Sequence, residues 1–477
     1  MSPFRLTETR SAKTTTNEID TKLPLAKRVR AGLSWNVSSS LIAEAIRFVR
    51  SVVLARLLVP EDFGLFAMAL TVVGALNAVS SLGLGRTIVA NKFDSDDELK
   101  AHLNTVWSVE LLKSFVIALL VSASAFPMAR FYGQAQLKVI IPTLGLITLV
   151  QGFQNIGLFI LRKEISFAGI FWYELATNTI GIALTVVLAV IMRNVWALVL
   201  GLLLTAAVGT VLSYFFHSYR PRLAFDKHAL RRALSLGKLA LVIAVASYVT
   251  NMADNVMVGR LLGTAALGTY SLAFNIASAP ISVLVFSLAS VLFPAYAEIN
   301  ANHPKALELA LTKVFTVALM IIIAITSSLF LLANEVVQLL FGSRWATAGT
   351  VLRVLALVVP LRGLSLIVST FFWGLNRPKD VAVSTTLGAV VFLAALYPFI
   401  SAFGLTGAAW AGLIAYAVAL VSCLKVLNGI IPGISAKLFR ISLSILAAAG
   451  TGLLIAWASL RFASSRFSNS GSEDPLR

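Results

Sequence analysis

Three charged side chains interrupt a long apolar run at residues 32–55. Glu44 and Arg47 are three positions apart, which places them on one face of a helix and lets them pair. Arg50 has no acidic residue four positions away on either side. Because a guanidinium group matches the oxygens of a phosphate, we expect Arg50 to face a cavity that binds an anion, with Arg47 as a second candidate. For Glu44 we favour an internal ion pair, and a role in gating or coupling is the alternative.

A second set of polar side chains lies in the apolar run at residues 236–258. Ser247, Asn251, Asp254 and Asn255 are spaced by four, three and one positions, so they share one side of a helix. Asn251 and Asn255 are therefore candidates for lining a substrate cavity. Asp254 is a candidate for gating or for coupling to H⁺ or Na⁺. The alternative is that all four are satisfied by hydrogen bonds within one half of the molecule.

Two further charges in apolar runs are cavity candidates. Arg362 lies deep in the run at residues 347–373 and is expected to act as a second cavity cation. Glu174 lies near the start of the run at residues 168–192, where it could contact a ligand or extend to the membrane interface. Glu110 and Lys113 form another pair three positions apart, which we interpret as structural.

Catalytic and metal-binding patterns are missing from the sequence. The four histidines lack the spacing of metal ligands, and no phosphate loop or nucleophile motif occurs. A single cysteine, Cys423, lies inside an apolar run, so neither a disulfide framework nor a thiolate site is expected. We therefore predict no catalytic residue, no cofactor and no bound metal. A membrane glycosyl polymerase is the enzyme alternative, but the longest predicted outer connection, around residues 130–138, is too short for its catalytic loop.

The composition defines the class of protein that must position these charges. Hydrophobic residues make up 58% of the chain and charged residues 13%, and the mean hydropathy is +0.88. The apolar runs are continuous rather than alternating, which excludes a membrane β-barrel. Runs of about 20 apolar residues match the length that a helix needs to cross a bilayer. The sequence thus predicts an all-α polytopic membrane protein.

The predicted spans fall into two sets of six with one extra at the end. This pattern predicts two pseudo-symmetric six-helix lobes plus one C-terminal helix, about 13 transmembrane helices in total. The spans are expected at residues 32–55, 63–89, 103–126, 138–161, 168–192 and 195–216, then at 236–258, 266–294, 311–333, 347–373, 381–402 and 405–427, and finally at 438–460.

One stretch of sequence occurs in both lobes. Residues 55–69 match residues 259–273 at a constant offset of 204 positions (260 − 56), which aligns Arg56 with Arg260. We interpret this stretch as the corner after the first helix of each lobe, with both arginines reaching the membrane interface and the paired glycines allowing close helix contact. Other aligned pairs are Gly64 with Gly268 and Phe66 with Tyr270.

The same offset aligns charges of opposite sign in the first helix of each lobe. Arg50 falls opposite Asp254, since they are 204 positions apart. Internal repeats of transporters form their substrate sites at the repeat interface. Our hypothesis is therefore that Arg50 and Asp254 pair across the lobe interface and gate or couple a cavity there.

The distribution of Lys and Arg predicts the orientation. Alternate connections, beginning with the N-terminal segment, carry most of the cations outside the spans, which predicts a cytoplasmic N-terminus. The net charge of +18 is then explained by topology, and no nucleic-acid partner is expected. Residues 1–31 contain no apolar stretch of signal-peptide length, so we expect the first span to direct insertion.

These observations define the expected domains and two local helix starts. Ser95 and Glu98 form a capping box ahead of the third span, and Asp226 is placed to cap an amphipathic linking helix. The expected ranges are a disordered basic cytoplasmic tail (1–31), an N-terminal lobe (32–218), a cytoplasmic linking helix (219–235), a C-terminal lobe (236–428) and the extra helix with its tail (429–477).

Six short motifs, in this order and spacing, resemble the polysaccharide-transporter family of the multidrug, oligosaccharidyl-lipid and polysaccharide exporter superfamily. The resemblance covers about residues 30–430. The motifs are RLLVPEDFG at 56–64, SLGLG at 81–85, LRKEISF at 161–167, VWALV at 195–199, RPRL at 220–223 and GLNRP at 374–378.

This resemblance implies a flippase of the bacterial cytoplasmic membrane. Its two lobes would rock between inward-open and outward-open states and move a polyprenyl-pyrophosphate-linked oligosaccharide to the outer leaflet for O-antigen, capsule or exopolysaccharide assembly. The implied partners are the lipid-linked oligosaccharide, membrane lipid, H⁺ or Na⁺ as coupling ion, and the polysaccharide polymerase machinery. A cation-coupled exporter of small amphiphiles is the alternative within the same superfamily.

Overall fold

The computed structural model describes residues 41–42, 44–80, 95–163, 167–226, 237–302 and 306–447. All regular secondary structure in these ranges is helical. The helices are α1 (residues 44–57), α2 (Pro60–Val79), α3 (Asp96–Tyr132), α4 (Leu137–Gly152), α5 (Gly157–Lys163), α6 (Phe167–Met192), α7 (Trp196–Phe216), α8 (Gly237–Asn302), α9 (Leu307–Leu331), α10 (Ala333–Phe341), α11 (Ala346–Gly374), α12 (Pro378–Phe403), α13 (Leu405–Ile430) and α14 (residues 434–447).

The predicted class of a multi-pass helical membrane protein is confirmed. Within the described ranges, nine stretches are long and apolar enough to cross a bilayer. The tail at residues 1–31, the motif at 81–85 and the end of the span at 438–460 lie outside these ranges. The count of 13 spans therefore stays a prediction.

The corner predicted from the repeated stretch is present in both lobes. α1 ends just before Val59, which has extended backbone angles (φ −104°, ψ 161°). Exactly one repeat length later, Gly263 breaks α8 with φ 87° and ψ −175°, a positive φ that glycine adopts at little cost. Gly263 therefore divides α8 into a first arm (237–262) and a second arm (264–302), which correspond to two predicted spans.

The paired glycines bring the two lobes into backbone contact. A Cβ atom on Gly64 would lie 1.9 Å from the carbonyl oxygen of Thr264, and one on Gly268 would lie 1.8 Å from that of Pro60. Pro60 and Thr264 are themselves separated by the repeat offset. The contact between α2 and the second arm of α8 therefore follows the repeat symmetry, and the predicted close helix contact is confirmed.

A set of contacts beside this corner closes one end of the lobe interface. Arg56 donates from Nε to the carbonyl oxygen of Leu340 at 2.8 Å, and the fully buried Trp345 donates from Nε1 to that of Ala55 at 2.9 Å. The Trp345 ring meets Phe63 edge to face at 5.2 Å between centroids. We call these five residues the lobe closure. Arg56 is exposed, and its guanidinium binds carbonyl groups at the end of α10. Its location at the membrane interface stays a prediction.

The connection between the lobes departs from the predicted helix. Residues 217–226 have no helical structure, and their backbone N–H groups are bound by side chains of α3: Arg222 donates to Asn104 at 2.9 Å and Ala224 donates to Ser108 at 3.0 Å. These bonds replace the helical ones, so the first part of the range 219–235 was wrongly assigned. The rest of the predicted linking helix, from residue 227, lies outside the described ranges. At the start of α3, Ser95 accepts from the backbone of Glu98 at 3.2 Å, as expected of the cap.

Candidate functional site

A cavity of about 320 Å³ lies between the two lobes. Side chains of α1, α2, α6, α7 and both arms of α8 line it. Several of the lining residues are equivalent in the two copies of the repeat. Both lobes therefore contribute matching positions to the cavity, as the duplication predicted. These pairs, each 204 positions apart, are Ser51 with Asn255, Ala67 with Ser271, Leu70 with Phe274 and Thr71 with Asn275. We call it the interlobe cavity.

Arg50 is the charged group of this cavity. It is the one charged residue among the described residues that line it, and its Nε atom is buried without a hydrogen-bond partner in the described structure. Arg50 also lines a neighbouring side cavity of about 260 Å³, between α1 and the second arm of α8. A half-buried cation that lacks a partner is costly in a bilayer, and guanidinium binds phosphate and carboxylate oxygens well. The arrangement is suited to binding an anionic ligand.

Glu44 and Arg47 form the predicted ion pair. Nε of Arg47 lies 3.0 Å from Oε2 of Glu44, and the side chains are 48% and 19% exposed for Arg47 and Glu44 respectively. Both residues line the side cavity with Arg50. Because Glu44 already neutralises Arg47, Arg50 is the cation with the greater capacity for a ligand.

Asp254 is bound inside the C-terminal lobe. The residue is 2% exposed, its Oδ2 accepts from the hydroxyl of Tyr270 at 2.7 Å, and its Oδ1 accepts from the backbone of Asn255 at 2.9 Å. These two groups, and not Arg50, bind the carboxylate among the described residues. The hypothesis of an Arg50–Asp254 pair is wrong for this conformation, because Asp254 is directed into its own lobe.

Arg362 is held by several groups at once. Its Nη1 donates to Ser278 Oγ at 3.0 Å and its Nη2 donates to Asn251 Oδ1 at 2.8 Å. The guanidinium also lies over the rings of Phe274 and Tyr416, 5.4 and 6.0 Å from their centroids, a favourable cation–π geometry. Arg362 and Asn251 line a cavity of about 300 Å³ within the C-terminal lobe. Asn251 thus serves to hold Arg362.

The remaining predicted site residues are placed differently. Asn255 lines the interlobe cavity, and its side chain lies 3.4 Å from the sulfur of Met252. Glu174 is exposed on α6 and is not among the residues that line the interlobe or side cavity. The structure therefore assembles Arg50 and Asn255 in one cavity, Glu44 and Arg47 beside it, and Asn251, Asp254 and Arg362 in a separate cluster.

The sequence analysis did not identify two tyrosines as functional or structural candidates. Tyr270 binds Asp254, and Tyr248 donates from its hydroxyl to the carbonyl oxygen of Thr71 in the other lobe. A signal for Tyr270 was present, since it aligns with Phe66 in the repeat. Tyr270, in the second copy of the repeat, has a hydroxyl group that Phe66 lacks. A buried hydroxyl group in an apolar helix requires a hydrogen-bond partner.

The chain has relatives among transport and polysaccharide biosynthesis proteins. It is 29% identical over 384 residues to the succinoglycan biosynthesis transport protein ExoT of Rhizobium meliloti, covering 77% of this chain and 74% of that protein. It is 26% identical over 344 residues to the lipopolysaccharide biosynthesis protein WzxC of Escherichia coli, covering 72% and 69%.

Solved structures share the fold. The lipid II flippase MurJ in an inward closed conformation superposes with a TM-score of 0.69 at 17% identity, covering 88% of this chain and 92% of that one. An inward-facing multidrug resistance MATE transporter gives a TM-score of 0.63 at 18% identity, covering 85% and 98%. The family described as polysaccharide biosynthesis protein matches residues 53–350. With this match over more than half of its length, the chain belongs to the polysaccharide biosynthesis protein family.

Proposed function

We propose that this membrane protein is a flippase that moves a polyprenyl-pyrophosphate-linked oligosaccharide from the cytoplasmic to the outer leaflet. The product would be used in the assembly of a surface polysaccharide such as O-antigen, capsule or exopolysaccharide. Arg50 is the residue that meets the pyrophosphate. The chain carries out transport and no catalytic step.

The observation that carries this proposal is the unpartnered guanidinium in a cavity shared by the two lobes. A pyrophosphate group needs compensating positive charge to enter a low-dielectric region. Arg50 supplies a cation whose Nε lacks a protein partner, in a cavity whose other lining residues are uncharged. A neutral amphiphile would gain nothing from that charge, which favours an anionic lipid head group.

The names of the relatives support the same class of substrate. ExoT is named as a transport protein of succinoglycan biosynthesis, and WzxC as a lipopolysaccharide biosynthesis protein. One of the solved structures with the same fold, MurJ, is named as a lipid II flippase. A transporter of lipid-linked saccharides accounts for these names and for the cavity charge together.

We interpret the lobe closure as one conformation of an alternating-access cycle. With a cytoplasmic N-terminus in the bacterial inner membrane, the turn between α1 and α2 faces outward. The contacts of Arg56 and Trp345 then seal the outer end of the lobe interface. Outward opening requires these hydrogen bonds and the glycine contact to separate, while the rest of each lobe moves as a unit.

Coupling is assigned to the cluster in the C-terminal lobe. Asp254 is a buried carboxylate bound by Tyr270, and Arg362 is bound to Asn251 on the same arm of α8. Binding of H⁺ or Na⁺ at Asp254 would change the net charge of the first arm of α8. The interaction of this arm with α2 in the other lobe would change as a result. Polysaccharide polymerase machinery is the expected partner that consumes the flipped lipid.

The function is tested by deleting the gene in a strain without a redundant flippase and assaying the leaflet location of the lipid-linked repeat unit. We expect the repeat unit to accumulate in the cytoplasmic leaflet, and the wild-type chain to restore its outward transfer. If the repeat unit reaches the outer leaflet at the normal rate in the deletion strain, the proposed function is wrong.

A further inference from the structure

A second polar cavity lies within the N-terminal lobe, away from the interlobe cavity. It measures about 360 Å³ and is lined by α2, α3, α4, α5, α6 and the turn after α4. This volume lies within the range of ligand pockets, roughly 300–1,000 Å³. We call it the N-lobe cavity.

The side chains of the N-lobe cavity are rich in groups that both donate and accept hydrogen bonds. Asn77, Gln151 and Gln154 contribute amides, and Thr148 and Tyr173 contribute hydroxyls. An amide or hydroxyl can donate and accept at the same time, which matches the hydroxyl groups of a sugar. The side-chain amide of Gln151 has no hydrogen-bond partner among the described residues and is exposed to the cavity.

The charge of the N-lobe cavity is balanced. Glu110 and Lys113, which we interpreted as a structural pair, are bound to each other and lie on its wall. They are 27% and 23% exposed, so the pair is half-buried. A cavity with no net charge binds a neutral ligand better than an anion or a cation. This distinguishes it from the interlobe cavity, where Arg50 is unopposed.

One aromatic side chain of the N-lobe cavity, Trp107, has a hydrogen-bond donor without an acceptor in the described structure. Trp107 is 8% exposed, and its indole Nε1 is buried with no hydrogen-bond partner in the described structure. A buried donor without a partner is destabilising, and a ligand oxygen that accepts from Trp107 would remove this cost. Trp107 and Tyr173 also provide apolar ring surface, against which the C–H face of a sugar ring can pack.

The two cavities are lined by neighbouring residues of α2. Gly74 lines the interlobe cavity and Asn77 lines the N-lobe cavity. These residues are three positions apart, a rise of about 4.5 Å along a helix. Both lie toward the end of α2 remote from the lobe closure. A ligand whose anionic group is bound by Arg50 can therefore extend an attached neutral chain toward the N-lobe cavity at this end.

We propose that the N-lobe cavity binds neutral sugar residues of the lipid-linked oligosaccharide, while Arg50 binds its pyrophosphate. This inference rests on the proposed function and divides its substrate between two sites. The amide of Gln151 and the indole N–H of Trp107 donate to sugar oxygens. Asn77, whose Nδ2 already donates to Val73 and Thr148, accepts from a sugar hydroxyl through its Oδ1. The glycan thereby adds affinity beyond that of the lipid pyrophosphate alone.

The test compares two ligands on the full-length protein in lipid nanodiscs. One is the lipid-linked oligosaccharide purified from the host, and the other is the polyprenyl pyrophosphate without sugar. Gln151→Ala and Trp107→Phe each remove one hydrogen bond, so each is expected to weaken binding of the sugar-bearing lipid about 2- to 12-fold. Binding of polyprenyl pyrophosphate should be unchanged, which also shows that the variants are folded.

The matched control is Gln136→Ala. Gln136 is exposed at the opposite end of α4, and its side chain makes no capping bond there. This variant should bind both ligands as the wild type does.

The inference is overturned if the wild type binds the two ligands equally, or if the cavity variants weaken both ligands to the same extent or neither. In those cases the proposed function stands, because polyprenyl pyrophosphate still binds. If the wild type binds neither lipid, the proposed function fails, and this inference fails with it.

Discussion

The backbone nitrogen of Gly64 lies 3.0 Å from the position that a Cβ atom would take on Gly268. The two glycines are equivalent in the sequence repeat, so each lobe presents the same small residue to the other at the same corner. Closing the lobes this tightly depends on the absence of both side chains. The repeated stretch thus sets the distance between the lobes rather than the chemistry of the cavity.

A methyl group at this contact should destabilise the closed lobes. In Gly64→Ala the new atom would lie 1.9 Å from the carbonyl oxygen of Thr264, and overpacking of this kind costs about 1–3 kcal/mol. We expect a lower melting temperature by circular dichroism in detergent. Gly429→Ala is the control, because a Cβ there meets open space, and its melting temperature should not fall. Equal melting temperatures for the two variants would contradict the glycine contact.

The lobe closure should open when Arg56 loses its charge. Arg56 binds the carbonyl oxygens of Leu339 and Leu340 across the lobes. Because the side chain is exposed, we assign the contact about 1 kcal/mol, or roughly a 5-fold shift toward the open state.

A buried reporter can measure this opening. In a Cys423→Ser background, Ala55→Cys places a thiol at a position that is 2% exposed. Arg56→Gln should raise its rate of labelling by a membrane-impermeant maleimide roughly 5-fold. Arg344→Gln, an exposed neighbour in sequence of Trp345, should not. An unchanged rate in Arg56→Gln would count against the closure.

Removing the hydroxyl group of Tyr270 should destabilise the C-terminal lobe. Tyr270→Phe leaves Oδ2 of Asp254 without its donor at 2.7 Å, and an unsatisfied buried acceptor costs about 1–3 kcal/mol. Tyr296→Phe is the matched control, since Tyr296 is 1% exposed and its hydroxyl has no partner in the described structure. Thermal unfolding should show a loss for Tyr270→Phe and no loss for Tyr296→Phe. The assigned role of Tyr270 would be wrong if the two variants unfold alike.

Neutralising Asp254 should remove the dependence of transport on a cation gradient. Asp254→Asn keeps an acceptor for Tyr270 but cannot gain or lose a proton or attract Na⁺ electrostatically. In proteoliposomes, an imposed H⁺ or Na⁺ gradient should then no longer accelerate flipping. Glu174→Gln, on the exposed face of α6, is expected to retain the response. A gradient response in Asp254→Asn equal to that of the wild type would exclude Asp254 as the coupling residue.

The sequence was sufficient for the parts of the fold that depend on periodicity and repetition. Continuous apolar runs predicted the helical membrane class, and the 204-residue offset predicted both corners and the glycine contact. Spacing within one helix also predicted the Glu44–Arg47 pair, because helical geometry fixes neighbours three positions apart. These inferences required no knowledge of how distant helices pack.

The parts that depend on side-chain direction between helices could not be predicted. The repeat aligned Arg50 with Asp254, but it could not show that Asp254 is directed to Tyr270 in its own lobe while Arg50 faces the cavity. Likewise, α10 comes late in the chain, and nothing in the repeat indicated that its last carbonyl groups would bind Arg56. The N-lobe cavity was missed because its polar residues come from several helices with no common spacing.

The central claim is most directly tested by the rate at which purified protein in proteoliposomes flips the lipid-linked oligosaccharide. Loss of one hydrogen bond to a charged group costs about 1.5–3 kcal/mol, so Arg50→Gln should lower the rate at subsaturating substrate by roughly 10- to 150-fold. Arg50→Lys should be intermediate, because it keeps the charge but loses the planar fork. Arg47→Gln should change the rate less, since Arg47 is already paired with Glu44. Flipping at the wild-type rate by Arg50→Gln would contradict the account.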